Sequence, residues 1–301
     1  MSASDPRRLI HFTPLRYPGG KSKLAEYVKE VIRTNQLYDG DYVEPYAGGA
    51  GIALELLFQG YVTTIHINDL SQPVYSFWKS VLNDTDELCR LVKNTKLSVA
   101  SWDRQKRIFS NPRDYSYTQL GFATFFLNRT NRSGILNGGV IGGRDQTGPW
   151  KIDARYNAEE LIFRIESIAK MKRHIKLTRK DALALLQIGL KKWPKKTLIY
   201  LDPPYFEQGR ELYYDYYQRD DHGILAKFIA AKMSGRHWLV SYDNVSPIKT
   251  LYSSFRSVVY NVGYSAREAR VGKEVMFFSP KMEIPNLVGP IRQVGKIKEA
   301  A

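Results

Sequence analysis

The sequence predicts an α/β fold built on an open, mainly parallel sheet that is interrupted once by an insertion. Short apolar strand-like runs alternate with amphipathic helix-like runs from residue 41 to 82 and again from residue 161 to 279. Several of these strand-like runs end near an acidic residue, which is where ligand groups lie in open α/β folds. Between residues 83 and 160 the alternation breaks down, which indicates an inserted subdomain.

Composition and charge favour a folded protein with a polyanionic partner. The 301 residues are enough for one large domain with an inserted subdomain. Lys and Arg number 45 against 30 Asp and Glu, and the formal net charge of +15 fits DNA or RNA better than a small neutral ligand. The only cysteine, Cys89, permits no intramolecular disulfide and no cysteine-based metal cluster, so we expect no metal. Without an apolar leader or a long apolar span, we expect a cytoplasmic protein with no membrane partner.

One predicted strand ends in a group of residues suited to binding an amino-substituted ring. Residues 198–201 are apolar and β-prone throughout, as in a strand covered on both faces, and Asp202, Pro203, Pro204 and Tyr205 follow them. Both prolines lack an N–H donor, so the carbonyls of Asp202 and Pro203 can face a ligand. A carboxylate and a carbonyl can accept the two N–H bonds of an amino group while Tyr205 stacks on its ring. The alternative is an ordinary strand end with a proline turn.

A glycine turn earlier in the chain predicts a site for a nucleoside-containing cofactor. Residues 41–51, Asp-Tyr-Val-Glu-Pro-Tyr-Ala-Gly-Gly-Ala-Gly, precede a helix predicted from Ile52 to Phe58. Glycines at this place let the backbone approach a ligand closely at the helix N-terminus. The next strand, Val62 to Ile67, leads to Asp69 at about the 20-residue spacing with which a carboxylate binds ribose hydroxyls. Asp69 could instead only cap the helix predicted from Ser71 to Leu82.

A second glycine loop, at residues 18–22, precedes the first predicted helix. Its sequence, Pro-Gly-Gly-Lys-Ser, lacks the G-x-x-x-x-G-K spacing of a P-loop and follows no strand, which disfavours nucleoside triphosphate binding. We expect a ligand carboxylate or a nucleic-acid phosphate at this helix start. The helix itself has one apolar face, formed by Leu24, Tyr27, Val28, Val31 and Ile32.

The insertion contains a run with the composition of a nucleic-acid reading loop. The seventeen residues 128–144 include three Arg, three Asn and five Gly and no acidic residue. Arg can fork onto phosphate or guanine, Asn can pair with adenine, and Gly lets the backbone approach a duplex. The alternative is a flexible glycine-rich surface loop. The residues that we expect to contact DNA are Asn128, Arg129, Asn131, Arg132, Asn137 and Arg144.

After the insertion the α/β alternation resumes. A helix is predicted to start near Asn157, and a strand from His174 to Thr178 leads to Asp181. The ring-rich segment from Phe206 to Tyr217 predicts either a mobile loop that closes on a base or a set of rings packed on the domain. Residues 280–301 are basic and contain proline, and we expect them to form a tail.

Taken in order, these motifs resemble the Dam-type DNA adenine-N6 methyltransferases, the D12 class of the alpha group. The matching motifs are Pro-Gly-Gly-Lys, Glu-Pro-Tyr-Ala-Gly-Gly-Ala-Gly, Asn-Asp, Asn-Arg-Thr-Asn-Arg-Ser-Gly and Asp-Pro-Pro-Tyr, between residues 14 and 279. The resemblance implies a Rossmann-like, seven-stranded methyltransferase sheet. It also implies a catalytic domain at 1–82 and 161–301 that binds S-adenosyl-L-methionine. The domain inserted at 83–160 would recognise the DNA target and would be mainly helical with a β-hairpin loop.

The resemblance also assigns expected roles to single residues. Tyr17 and Lys21 would lie near the methionine end of the cofactor, and Asp181 would lie beside its adenine. Asp69 would bind the ribose. The cofactor turn would be formed by Glu44, Tyr46 and Gly48. Ala50 stands where many relatives have a second glycine, so we expect this turn to follow a different backbone path while still binding the cofactor.

The mechanism implied by the resemblance is methyl transfer to a flipped-out adenine in double-stranded DNA. Tyr205 would stack on the adenine, while Asp202 and the Pro203 carbonyl accept hydrogen bonds from N6 and orient its lone pair. DNA cytosine-N4 methylation, RNA adenine-N6 methylation and a catalytically silent DNA-binding subunit of a modification complex remain open alternatives. A cognate restriction endonuclease as partner and a monomeric state are further expectations.

Overall fold

The computed structural model describes residues 12–16, 24–207, 218–264 and 270–300, which form ten α-helices and eight β-strands. The helices are α1 Ala25–Thr34, α2 Gly51–Phe58, α3 Gln72–Asn83, α4 Thr85–Asn94, α5 Val99–Ser110, α6 Tyr117–Thr130, α7 Ala158–Lys170, α8 Ala182–Gly189, α9 Arg219–Lys232 and α10 Ser246–Leu251. The strands are β1 Gly40–Glu44, β2 Val62–Asn68, β3 Ile175–Thr178, β4 Leu198–Leu201, β5 His237–Asp243, β6 Ser257–Tyr264, β7 Arg270–Phe278 and β8 Arg292–Gln293.

All eight strands belong to one mixed sheet with the order β3-β2-β1-β4-β5-β7-β6-β8. Strands β1 to β5 are parallel, and β7 lies antiparallel between β5 and β6. The predicted open α/β sheet is confirmed, but the expected number of seven strands is wrong. The eighth strand comes from the segment predicted as a tail, because Arg292 and Gln293 pair with Asn261 and Tyr260 at the edge of the sheet. A pair of residues is too short to show any periodicity in the sequence.

Helices cover both faces of the sheet, and the central strand β4 shows how the two cores are divided. Leu198 and Tyr200 belong to one core, which also contains apolar residues of α1, α2, α3, α6 and α7. Ile199 and Leu201 belong to the other, which contains residues of α8, α9 and α10. Since side chains alternate along a strand, an unbroken apolar run is what a strand buried on both faces requires. The interpretation of residues 198–201 as such a strand is confirmed.

The insertion is helical, and its helix α6 packs directly on α3 of the sheet-covering layer. Helix α6 begins with a capping box that no sequence motif predicted. The Ser116 side chain accepts from the Gln119 N–H, and the Gln119 side chain accepts from the Ser116 N–H. In place of the expected β-hairpin, residues 131–140 form a loop closed by one antiparallel bridge between Asn131 and Val140. Within the described residues every helix is too short or too polar to cross a membrane.

Gly121 sets the close approach of α6 to α3. A Cβ atom at this position would lie 2.6 Å from the Ser76 carbonyl oxygen and 2.6 Å from the Ser80 Oγ. Contacts this short force the two helix backbones apart.

We therefore expect Gly121→Ala to destabilise the protein by up to about 2 kcal/mol, because overpacking of about 1 to 3 kcal/mol outweighs the roughly 1 kcal/mol that alanine gains in helix propensity. Chemical denaturation measures this change in the free energy of unfolding. Gly235→Ala is the matched control, since nothing lies within 4 Å of a Cβ atom there. Equal stability of the two variants would contradict this account of the helix contact.

Candidate active site

The two predicted motifs meet where the strand order of the sheet reverses. Strands β1 and β4 are neighbours in the sheet. From β1 the sheet continues through β2 to β3 on one side, and from β4 it continues to β5 on the other. Glu44 is the last residue of β1, and Asp202 follows the last residue of β4. Ligands of open α/β sheets bind in the crevice at such a switch point. The glycine turn and the Asp-Pro-Pro-Tyr segment therefore lie on one side of the sheet, at its carboxyl edge.

The glycine turn after β1 is held in place by hydrogen bonds from two other elements. The N–H of Gly48 donates to Asp69 Oδ2 at 2.9 Å, and Trp78 Nε1 of α3 donates to the Gly48 carbonyl at 2.8 Å. Ala50 adopts a left-handed conformation, with φ 47° and ψ 34°, directly before α2. A non-glycine residue pays about 1 to 2 kcal/mol for this conformation. Ala50, which stands where many relatives have a second glycine, is thus a strained point of the turn.

The alternative interpretation of Asp69 as a cap of α3 is wrong, because the N-cap residue is Ser71, and Asp69 instead faces the glycine turn. Its Oδ1 accepts from the Ser71 N–H at 3.0 Å, just before α3, while Oδ2 accepts from Gly48. Asp69 thus links the glycine turn to the start of α3. Sequence reasoning missed its neighbour Asn68, which is buried and bonds to the Pro45 and Lys180 carbonyls, so that the ends of β1, β2 and β3 are joined.

Glu44 is buried beneath the turn and is only 5% exposed. Burial, with a smaller repulsion from Asp202, raises its pKa from 4.5 to about 8, although the hydrogen bond from the Tyr42 hydroxyl at 3.0 Å works against this rise. The carboxyl group is therefore protonated over much of the neutral range. Tyr46, the other predicted cofactor residue here, is half-buried and packs against the core of α8 to α10.

Asp202 is held by a hydrogen-bonded pair on two neighbouring strands. The Ser241 hydroxyl of β5 donates to Asp202 Oδ1 at 2.8 Å, and the same Oγ lies 2.8 Å from the Tyr200 hydroxyl of β4. Ser241 and Tyr200 are buried, with 0% and 2% exposure, whereas Asp202 is half-buried. The carboxylate is thus oriented from inside the sheet. Pro203, Pro204 and Tyr205 are buried behind it.

Tyr205 and the residues after it are held by side chains of β5 and β7. The Tyr205 hydroxyl donates to Glu274 Oε1, and the Tyr260 hydroxyl of β6 donates to Glu274 Oε2 at 2.5 Å. The backbone N–H groups of Phe206 and Glu207 donate to the two oxygens of Asp243, at 3.0 and 3.1 Å. No sequence motif indicated these contacts, because the residues involved come from strands far along the chain.

Of the three remaining predicted cofactor residues, the structure describes only Asp181. Asp181 is exposed and caps α8, where its Oδ1 accepts from the Ala184 N–H at 3.1 Å, at the end of β3. Tyr17 and Lys21 lie outside the described residues, as do the tyrosines of the ring-rich segment after Glu207.

Two asparagines of the predicted reading loop are buried and bonded within the protein. The Asn128 side chain accepts from the Arg16 N–H at 2.7 Å and donates to the carbonyls of Arg16 and Gly134. The Asn131 side chain accepts from Trp102 Nε1 at 2.6 Å and donates to the carbonyls of residues 135 and 136. With these partners, neither amide presents its donor and acceptor to a base edge. They shape the loop instead.

Arg129, at the end of α6, is a buried cation with no ion-pair partner among the described residues. It is 9% exposed, and its Nε has no hydrogen-bond partner. Burial and the nearby Arg164 and Arg16 lower its pKa to about 9, which still leaves it charged at neutral pH. Glu160, the carboxylate that favours the charge of Arg129, is already hydrogen-bonded to Arg164. A desolvated guanidinium among like charges is a binding position for an anion.

The remaining predicted DNA-contacting residues lie on the surface of the same loop. Arg132, Asn137 and Arg144 are exposed. Arg144 makes a two-pronged ion pair with Asp103 of α5, at 2.8 and 2.9 Å, and such an exposed pair is screened by solvent. Helix α5 thus supports the loop, and the ion pair can open for a phosphate at small cost.

Two known proteins resemble this chain in sequence over most of its length. The chain is 23% identical over 264 residues to the type II methyltransferase M.MjaIII of Methanocaldococcus jannaschii, covering 80% of this chain and 88% of that protein. It is 22% identical over 279 residues to the retron Ec67 DNA adenine methylase of Escherichia coli, covering 89% and 91% of the two chains.

Among solved structures, the rRNA methyltransferase aviRa of Streptomyces viridochromogenes matches with a TM-score of 0.38 and 13% identity, covering 93% of this chain and 95% of that one. The sequence model of the D12 class of N6 adenine-specific DNA methyltransferases matches residues 17–265, which is most of the chain. This match includes the glycine turn, the insertion and the Asp-Pro-Pro-Tyr segment, so the chain belongs to the D12 class N6 adenine-specific DNA methyltransferase family.

Proposed function

We propose that the chain transfers a methyl group from S-adenosyl-L-methionine to N6 of an adenine flipped out of double-stranded DNA. The observation that carries the proposal is the meeting of an oriented carboxylate, Asp202, with the glycine turn at the switch point between β1 and β4. The order of the first seven strands supports a Rossmann-like methyltransferase sheet, to which β8 adds a short edge. The domain division at 83 and 160 stays part of this proposal.

The residues around the glycine turn suit the proposed cofactor. Asp69 lies beside the turn, where a carboxylate can bind ribose hydroxyls, and the left-handed Gly48 gives a backbone without a side chain at the closest approach. Glu44 and Tyr46 border this turn, and Asp181 lies at the end of β3. Tyr17 and Lys21 complete the proposed set by the family resemblance. When bound, S-adenosyl-L-methionine supplies an electrophilic methyl group.

The chain contributes orientation rather than strong base catalysis. Ser241 holds Oδ1 of Asp202, so the carboxylate meets the N6 amino group in a set direction. Together with the Pro203 carbonyl it accepts the two N6 hydrogen bonds, which keeps the lone pair of nitrogen out of the ring and available for attack. Tyr205 stacks on the flipped base.

On the DNA side, the structure of the insertion supports phosphate contacts more than base reading by asparagine. Arg129 offers a buried, uncompensated charge for one phosphate, and Arg132, Asn137 and Arg144 offer exposed donors. The type II relative supports a place beside a cognate restriction endonuclease. We retain the monomer as the working state.

Sequencing of modified bases in plasmid DNA from cells that express the chain tests the whole proposal. We expect N6-methyladenine in one sequence context, and labelled methyl incorporation into duplex DNA rather than RNA. Methylated cytosine, or incorporation only into RNA, would overturn it.

Asp202→Ala should leave cofactor affinity nearly unchanged and lower kcat by about 100- to 1000-fold, because it removes a preorganised acceptor used in the transition state. Calorimetry with S-adenosyl-L-methionine and methyl transfer to plasmid DNA measure the two quantities. Asp220→Ala, at an exposed position on α9, serves as the control. Retention of wild-type kcat in Asp202→Ala would remove Asp202 from the mechanism.

Arg129→Met should weaken DNA binding and yet stabilise the free protein. Removing an uncompensated buried charge relieves a desolvation cost of about 1 kcal/mol or more. The slope of log affinity against log salt should fall by about one, as for the loss of one phosphate contact. Fluorescence anisotropy over a salt series and thermal unfolding give the two readouts. Arg90→Met, which removes an exposed arginine paired with Glu87, should change neither, and wild-type DNA binding by Arg129→Met would contradict the assignment.

Glu44 should make the stability of the protein depend on pH. Because folding raises its pKa from 4.5 to about 8, its contribution is complete below about pH 4.5 and declines as the pH rises toward 8. Glu44→Gln, which mimics the protonated form, should therefore gain stability relative to wild type over this range, by up to about 1.4 kcal/mol per pH unit. Denaturant titrations across the range measure it, with Glu159→Gln on the exposed face of α7 as control. A pH-independent difference would show that Glu44 ionises normally.

A further inference from the structure

Glu274 is a buried carboxylate that neither the cofactor turn nor the DNA loop uses. It lies on β7 with 1% exposure, directly opposite Tyr260 on β6 and Asp243 on β5. Each of its oxygens accepts one tyrosine hydroxyl, Oε1 from Tyr205 and Oε2 from Tyr260. A buried carboxylate costs several kcal/mol of desolvation, and an apolar side chain would fill the space more cheaply. Its position therefore calls for a role that only a hydrogen-bond acceptor can fill.

The hydrogen bonds of the two tyrosines to Glu274 indicate this role. Tyr260 is 0% exposed and lies on the sheet, so its bond stops the Glu274 carboxylate from rotating. Tyr205 follows two prolines on a segment outside the sheet, and its hydroxyl reaches the opposite oxygen. A tyrosine ring pinned at its hydroxyl end cannot swing about the bonds near its backbone.

The backbone beside the ring is held from the same row of the sheet. Asp243, the neighbour of Glu274 across β5 and β7, accepts from the N–H groups of Phe206 and Glu207. The ring is thus held at its tip by one strand and the chain after it by the next. Hydrogen bonds to the sheet therefore fix both the tip of the Tyr205 ring and the backbone that follows it.

We propose that Glu274, held in turn by Tyr260, is a positioning residue that sets the ring of Tyr205 for stacking on the flipped base. The role rests on the proposed function, since it acts through Tyr205. Glu274 touches neither substrate nor cofactor. Its loss should disturb the catalytic geometry more than ground-state DNA binding, because the pinned ring matters most when the amino group must be aligned for attack.

A double-mutant cycle with Tyr205→Phe and Glu274→Gln tests this role. Each single variant should lower kcat on plasmid DNA by about 10- to 100-fold, as for the loss of a hydrogen bond to a charged group, with KM for DNA little changed. The double variant should be no slower than the slower single variant, because both changes act on one hydrogen bond: Tyr205→Phe removes its donor, and Glu274→Gln replaces its acceptor carboxylate with a neutral amide. Losses that multiply, or a wild-type kcat in Glu274→Gln, would overturn the role.

Two additional readouts separate positioning from loss of fold. Tyr260→Phe should lower kcat less than Glu274→Gln, whereas Tyr27→Phe, which removes a buried hydroxyl on α1 bonded to the Pro285 carbonyl, should leave kcat unchanged. Duplex DNA with 2-aminopurine at the methylated position, identified by plasmid sequencing, should fluoresce more brightly with Glu274→Gln than with wild type, because the flipped base stacks less well. Equal fluorescence would contradict the role.

The same experiment distinguishes the two levels of inference. A wild-type chain that transfers no methyl group to adenine overturns the proposed function, and the role of Glu274 falls with it. A wild type that methylates adenine while the cycle is additive overturns the role of Glu274 alone.

Discussion

A row of buried hydrogen bonds along the carboxyl edge of the sheet is the constraint on which the rest of the structure depends. The row consists of Glu44 on β1, Tyr200 on β4, Ser241 on β5, Glu274 on β7 and Tyr260 on β6. By strand pairing and alternation these side chains share one face of the sheet. Buried polar groups are tolerated only when they are hydrogen-bonded, and here Tyr200 pairs with Ser241 and Tyr260 with Glu274. Asp202 and Tyr205 are hydrogen-bonded to side chains of this row, which restricts their movement.

On the cofactor side of the site, hydrogen bonds likewise hold the strand ends and the glycine turn in place. Asn68 joins the ends of three parallel strands, and Asp69 links the glycine turn to the start of α3. Trp78 of α3 closes the arrangement by donating to the Gly48 carbonyl. The turn can then hold Ala50 in a left-handed conformation that an isolated loop would avoid.

The insertion contrasts with this network, because it contains a buried charge that no ion pair neutralises within the part of the chain that the structure describes. Helix α6 is anchored by close packing on α3 at Gly121, so its end places Arg129 beside Arg16 and Arg164. A protein under selection for stability alone would not keep three guanidinium groups together with one paired carboxylate. The cost is consistent with a polyanionic partner, as is the net charge of +15.

Much of the fold and the core of the site followed from local sequence. The unbroken apolar run at Leu198–Leu201 predicted a strand buried on both faces, and the apolar spacing of α1 predicted its buried face. The short elements α10 and β8 escaped prediction, because their stability comes from packing rather than from propensity or period. Helix α4 was missed although its buried Leu88 and Val92 have helical spacing. Asn128 and Asn131 fitted a base-reading composition, yet tertiary contacts occupy their amides.

The sequence by itself therefore determined which residue types stand at the strand ends, and so the chemistry available: an acceptor at Asp202, a ring at Tyr205 and a carboxylate at Asp69. Only the tertiary structure decided how those groups are held. Ser241, Asp243, Glu274 and Tyr260 are separated from Asp202 by tens of residues, and they become its surroundings through strand pairing. No local pattern encodes such contacts, because hydrogen bonds between strands depend on register across the sheet rather than on neighbours in the chain.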